Sequence, residues 1–132
     1  MAFRTSQKNI DIRDACVAAC KTCVALADQC KEYIEQRNAT GQLLANNLLQ
    51  TLHECIEACR NCVRACQLHI DQCDDDACIF TCKESIEACE LCIKACQDCI
   101  SGCKSAANDH CAVSCTTCID ACSACVEVCK NL

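Results

Sequence analysis

Glu54 to Gln67 reads ECIEACRNCVRACQ, and Glu84 to Gln97 reads ESIEACELCIKACQ, a near copy 30 residues further on. Thr117 to Lys130, TCIDACSACVEVCK, is a looser third copy. Spacings of four and three residues between cysteines keep one face of a helix inward and define the a and d positions of a bundle seam. With Cys55 at d and Cys59 at a, and one letter frame per helix, all 22 cysteines of the chain fall at a or d.

The flanking positions obey the same frame. Position e is mostly β-branched (Val17, Val24, Ile56, Val63, Ile70, Ile86, Ile93, Ile100, Ile119, Val126), and several g positions are alanine (Ala19, Ala58, Ala65, Ala88, Ala95, Ala121). Small g residues let helices approach closely. Positions b and f carry Glu57, Arg60, Arg64, Glu87, Lys94, Asp120, Glu127 and Lys130, the expected solvent face.

Between the periodic stretches there is no proline, and the two glycines are Gly41 and Gly102. Helix ends are expected near Asn38 to Gly41, Asp74 to Asp76 and Ser105 to Asp109, where Gly, Asn and Asp can stop one helix and cap the next. Four helices of roughly 25 to 30 residues follow, and short connections make neighbours antiparallel. The predicted fold is all-α: an antiparallel up-down-up-down four-helix bundle with a cysteine-lined core. It is one domain over residues 1–132, with a short N-terminal tail of about ten residues.

Cysteine makes up 22 of 132 residues, which points either to a disulfide framework or to a metal load. Met1 to Asp14, MAFRTSQKNIDIRD, contains no apolar run and no twin arginine. The expected location is therefore the reducing cytoplasm, where structural disulfides do not persist. The net charge of −6 and the scattered basic residues argue against nucleic acid or an anionic membrane as partner. Phe3, Tyr33 and Phe80 are too few to stack on bases.

Buried cysteine can act as a small hydrophobe. Large-to-small core replacements cost roughly 2 to 5 kcal/mol each, however, and a thiol at nearly every seam position needs a binding function to offset that loss. Ordinary core is expected only at Leu43, Leu44, Leu48, Leu49 and Leu52, an apolar plug at one end.

The candidate metal ligands are Cys16, Cys20, Cys23 and Cys30 on the first helix, and Cys55, Cys59, Cys62, Cys66 and Cys73 on the second. The third offers Cys78, Cys82, Cys89, Cys92, Cys96, Cys99 and Cys103, and the fourth Cys111, Cys115, Cys118, Cys122, Cys125 and Cys129. Nine CxxxC pairs occur, Cys16/Cys20 and Cys118/Cys122 among them. Residues four apart lie about 5 to 6 Å from each other on one face, so two thiolates can turn toward one ion. Two-thiolate coordination suits soft Cu(I), whereas Zn(II) takes four ligands at tetrahedral angles.

Charge favours the same metal. With one Cu(I) per thiolate, on the order of 20 ions per chain, the core is close to neutral; about five Zn(Cys)₄ sites would each bury a formal charge near −2. Cys23, Cys30, Cys73 and Cys89 lack a CxxxC partner and stand opposite Ala27, Ile34, His69 and Ser85. His69 is the one histidine in the seam and is a candidate ligand beside Cys73. His53 and His110 fall on outer positions, but His110 precedes Cys111 at a helix start, where it can reach over the bundle mouth as a ligand.

Repeated CxxxC pairs on four consecutive helices, with the ECIEAC and CIDACSAC stretches, resemble the bacterial copper storage proteins over about Asp11 to Lys130. The resemblance implies a four-helix bundle loading multiple Cu(I) ions along its axis, no enzymatic activity and often a homotetramer. It also implies exchange with a copper chaperone or low-molecular-weight thiol. Lacking an export signal, the chain is similar to the cytosolic branch. Some members use methionines at the mouth; here the one methionine is Met1, which leaves histidine or cysteine for that task.

Two other readings stay open. A zinc or general heavy-metal buffer, metallothionein-like, requires cysteines of adjacent helices to meet in fours, which regular seams permit without favouring. A redox or iron–sulfur protein is suggested by CxxC spacing at Cys20/Cys23 and Cys59/Cys62, yet both lie inside helices rather than in the loops such sites use. No catalytic constellation or phosphate-binding loop stands out.

Overall fold

The structure, a computed structural model, describes residue 3 and residues 6–36, 41–103 and 109–132, with the side chains at 33–36, 41–46, 103 and 109–112 left out. Four helices make up the fold: α1 (Gln7–Gln36), α2 (Gly41–Gln72), α3 (Asp76–Cys103) and α4 (Asp109–Cys129). Helix α1 begins inside the stretch expected to be a tail. Ser6 starts it: the Asn9 amide donates to Ser6 Oγ at 3.3 Å and the Ile10 amide to the Ser6 carbonyl at 3.0 Å, a side-chain N-cap.

Of the three expected breaks, the one near Asp74 to Asp76 is seen directly. Asp75 caps α3, its Oδ1 accepting from the Ala77 amide at 3.0 Å and its carbonyl from the Ile79 amide at 3.0 Å. At the other two, residues 37–40 and 104–108 lie outside the described residues, and Gly41 and Asp109 are the first residues of α2 and α4.

Each helix packs on two neighbours, α1 on α2 and α4, and α3 on α2 and α4. The sulfur layers fix direction. Cys16 shares a level with Cys62, Cys89 and Cys129, and Cys23 shares one with Cys55, Cys96 and Cys122. Numbering rises along α1 and α3 while it falls along α2 and α4, so this is an up-down-up-down bundle.

The heptad frame sorts the side chains as expected. Every cysteine whose side chain is described is buried except Cys78, which is half-buried, and the charged b and f residues are exposed. Val17, Val24, Val63, Ile70, Ile86, Ile93, Ile100 and Ile119 pack as a partly buried sleeve around the sulfur column, while Ile56 and Val126 are buried in it. These β-branched residues supply the apolar area that thiols lack.

Leu48 and Leu52 are fully buried and Leu49 packs beside them, so this much of the leucine plug is present; Leu43 and Leu44 lie outside the described side chains. Because this is one of the few places where large aliphatic side chains fill the seam, Leu52→Ala is expected to cost about 2 to 5 kcal/mol. A thermal melt of the metal-free protein followed by circular dichroism checks this; an unchanged midpoint would show that the plug contributes nothing.

Candidate metal centre

Along the axis the thiols meet across helices as well as along them, and the two shortest contacts are between helices. Cys92 and Cys122 sulfurs lie 3.3 Å apart, Cys89 and Cys125 3.6 Å, and Cys20 and Cys55 3.7 Å. Within helices, Cys118/Cys122 and Cys125/Cys129 stand at 3.7 and 3.8 Å. No disulfide joins the described cysteines, and these separations are well beyond the S–S bond length of about 2.05 Å.

The sulfurs gather into fours. Cys16, Cys20, Cys59 and Cys125 form one tetrad, and Cys16, Cys62, Cys89 and Cys129 a second; Cys20, Cys55, Cys92 and Cys122 form a third, and Cys23, Cys55, Cys96 and Cys122 a fourth. Within each, all ligand atoms lie within 4.8 Å of one another. This corrects the expectation that regular seams do not favour fours. Short side chains at the a and d positions of four in-register helices bring their sulfurs to the axis: three of the tetrads take one sulfur from each helix, while Cys16, Cys20, Cys59 and Cys125 take two from α1.

It also completes two residues that looked incomplete along the chain. Cys23 and Cys89 have no CxxxC partner, yet each belongs to a tetrad drawn from all four helices. Sequence spacing reports neighbours on one helix only, so those partners were invisible to it.

The tetrads overlap. The first shares Cys16 with the second and Cys20 with the third, and the third and fourth share Cys55 and Cys122, so no three are disjoint. Two isolated four-ligand sites are thus the most these groups can hold at once. The arrangement is one sulfur network in which single thiolates are placed to bridge.

The thiols of this network do not hold their protons equally. Cys115 is held down at about 4 by its hydrogen bond with Cys30 and then by that with Cys99, and Cys30 is raised first by the same contact with Cys115. Cys82 is pushed up to about 11, first by burial and then by charge on Cys78. Protons are therefore shared between sulfurs, and a cation that binds must displace them, so affinity rises with pH.

Ser85 stands in the seam between Cys82 and Cys89. It is fully buried and its Oγ makes no hydrogen bond among the described residues. A hydroxyl among sulfurs is a costly tenant unless a charged neighbour orients it.

At the α2–α3 end the column changes chemistry. His69, Cys73 and Cys78 bring their ligand atoms within 4.8 Å of one another, and His69 Nε2 lies 3.0 Å from Cys78 Sγ. The sequence placed His69 beside Cys73, as found, but assigned Cys78 to Cys82 alone. The tight turn at 73–75 is what swings Cys78 back onto the histidine.

Phe3, which precedes the first helix and carries no heptad signal, packs its ring edge-on to His69 with centroids 5.6 Å apart. Leu132 is buried at the same end, and its carbonyl accepts from Arg13 at 3.0 Å. Cys30, Cys66, Cys99, Cys115 and Cys118 are buried in the core. Cys103, Cys111 and His110 lie outside the described side chains.

Among the described residues, no helix is long and apolar enough to cross a membrane. The arrangement offers soft anionic donors, in groups of three and four, to metal ions. No family model, no curated protein and no solved structure matches this chain.

Proposed function

We propose that this chain binds and stores multiple Cu(I) ions along its axis, in the manner of the cytosolic branch of the bacterial copper storage proteins that its cysteine repeats resemble. The observation that supports this most is the sharing of Cys16, Cys20, Cys55 and Cys122 between tetrads. Shared thiolates suit a monovalent soft cation of low coordination number, because each sulfur can bridge two ions and the filled core is close to neutral.

Zinc or general heavy-metal buffering is the second reading, and the tetrads favour it more than the sequence did, since each offers the four thiolates that Zn(II) takes. Against it stands the overlap: separate tetrahedral sites would leave most of the column's thiols unused. In the storage reading the chain is not an enzyme, works in the cytoplasm and gives up its copper to a chaperone or small thiol. Assembly as a homotetramer belongs to the same reading.

Anaerobic titration with Cu(I) against a competing chelator, followed by native mass spectrometry, tests the proposal. Uptake on the order of 20 ions per chain is expected. Saturation near about five metals, or retention of Zn(II) under copper competition, would favour the buffer instead.

A further inference from the structure

The thiol column and the His69 cluster differ in donor type, exposure and position. In the column the sulfurs are buried and shared. In the cluster, His69 and Cys78 are half-buried while Cys73 is buried. Two surface clefts flank the cluster. One, of about 620 Å³, is lined by His69 with Lys8, Arg64 and Gln72; the other, of about 230 Å³, is lined by Phe3, Asp75, Cys78, Cys82 and Leu132. A solute can thus reach the histidine from one side and the Cys78 sulfur from the other.

The turn holds the third ligand in place. The Asp75 amide donates to Cys73 Sγ at 3.4 Å, which orients the sulfur. Phe3 fixes the plane of the His69 ring through its edge contact. The donors are therefore positioned by neighbours that are not themselves ligands, as in metal sites whose surroundings set ligand direction.

From this cluster a sulfur path leads inward. Cys82 follows Cys78 by one turn on the α3 seam, and Cys66 and Cys62 are one turn apart on the α2 seam; Cys82, Cys66 and Cys62 are all fully buried, and Cys62 belongs to the tetrad with Cys16, Cys89 and Cys129. At the opposite end, the α2 seam is filled by the buried leucines Leu48 and Leu52.

We propose that His69, Cys73 and Cys78 form a metal site separate from the column, a mixed nitrogen–sulfur site through which Cu(I) is loaded and withdrawn by way of Cys82, Cys66 and Cys62. This rests on the storage reading above. Its donor set is suited to transfer. Imidazole is a harder donor than thiolate and holds Cu(I) less strongly than the all-sulfur interior does, so transfer inward runs downhill.

The exchange balances without any redox change. A Cu(I) ion carried by two thiolates of a small thiol gives both up as His69 Nε2, Cys73 Sγ and Cys78 Sγ bind it. The two departing thiolates take up the protons that the two cysteines lose. Copper stays monovalent, and the complex carries a single negative charge before and after.

The test is anaerobic stopped-flow loading of the full chain from Cu(I) held by excess glutathione, followed by Cu(I)–thiolate ultraviolet absorption. His69→Ala and the triple variant His69→Ala/Cys73→Ser/Cys78→Ser are compared with His53→Ala, a change at an exposed histidine outside the seam. Loading is expected to slow by on the order of tenfold in the triple variant and less in the single one, with final copper content lower by about one ion. Circular dichroism establishes that the helices persist; if the triple variant does not fold, His69→Ala alone decides. Rates within about twofold of His53→Ala would overturn the port while leaving storage intact. A wild-type chain that takes up no Cu(I) would overturn both.

Discussion

Loading the metal-free chain with Cu(I) is expected to raise its thermal midpoint by at least about 20 °C. Each ion held by the folded form at a thousandfold excess over its dissociation constant contributes about 4 kcal/mol. For a chain of this length, 1 kcal/mol corresponds to roughly 3 to 5 °C. Three such ions together contribute about 12 kcal/mol, comparable with the total stability of an ordinary domain, about 5 to 15 kcal/mol. The unfolded chain also offers thiols, which lowers the gain; what remains is the advantage of sulfurs already 3.3 to 3.9 Å apart over sulfurs that must be gathered.

The metal-free form is expected to stay helical. Its β-branched sleeve, the Ser6 and Asp75 caps and the leucine plug act without metal. Anaerobic circular-dichroism melts with and without Cu(I) check both statements. A chain that is unfolded until metal arrives would show that coordination, and not the sleeve, holds the bundle. A midpoint that does not move would mean that the column binds no copper in the folded state.

The second large effect is expected from Cys55→Ser/Cys122→Ser. Both residues belong to the same two tetrads, Cys20/Cys55/Cys92/Cys122 and Cys23/Cys55/Cys96/Cys122. If each sulfur bridges two ions, removing these two leaves about four Cu(I) with a missing ligand, so the copper content falls by two to about four ions. The serines nearly keep the volume but bury hydroxyls among sulfurs, costing roughly 1 to 3 kcal/mol each where unpaired. Native mass spectrometry of the loaded variant reads the loss. Copper content equal to wild type would show that the middle of the column is not used.

A paired variant sharpens that result. Cys30 and Cys99 are buried in the column but lie outside every tetrad, so Cys30→Ser/Cys99→Ser removes the same number of thiols from a less connected part of the column. A smaller drop than in Cys55→Ser/Cys122→Ser is the signature of shared thiolates. Equal drops would point to independent sites.

What the sequence determined is the helical class, the inward register of the described thiols and the placement of charge. These follow from periodicity along one helix, and the heptad frame that begins at ECIEAC carries them without knowledge of any neighbour. The same frame singled out Ser85 and His69 as departures from cysteine in the seam. It gave no sign that a single serine cap, Ser6, starts α1 at Gln7, a few residues inside the expected tail of about ten.

What only the tertiary structure decided is which sulfurs meet. Contacts such as Cys92 with Cys122, or Cys16 with Cys59 and Cys89, depend on the relative height of antiparallel helices, and the heptad pattern is indifferent to sliding one helix past another by a turn. For the same reason the partners of Cys23 and Cys89 appeared only once four helices were assembled. The His69 cluster needed one thing more: the turn at 73–75, which returns Cys78 to the histidine nine residues before it, and Phe3 folding over the result. Periodicity fixes what faces the axis; only packing fixes what shares a level on it.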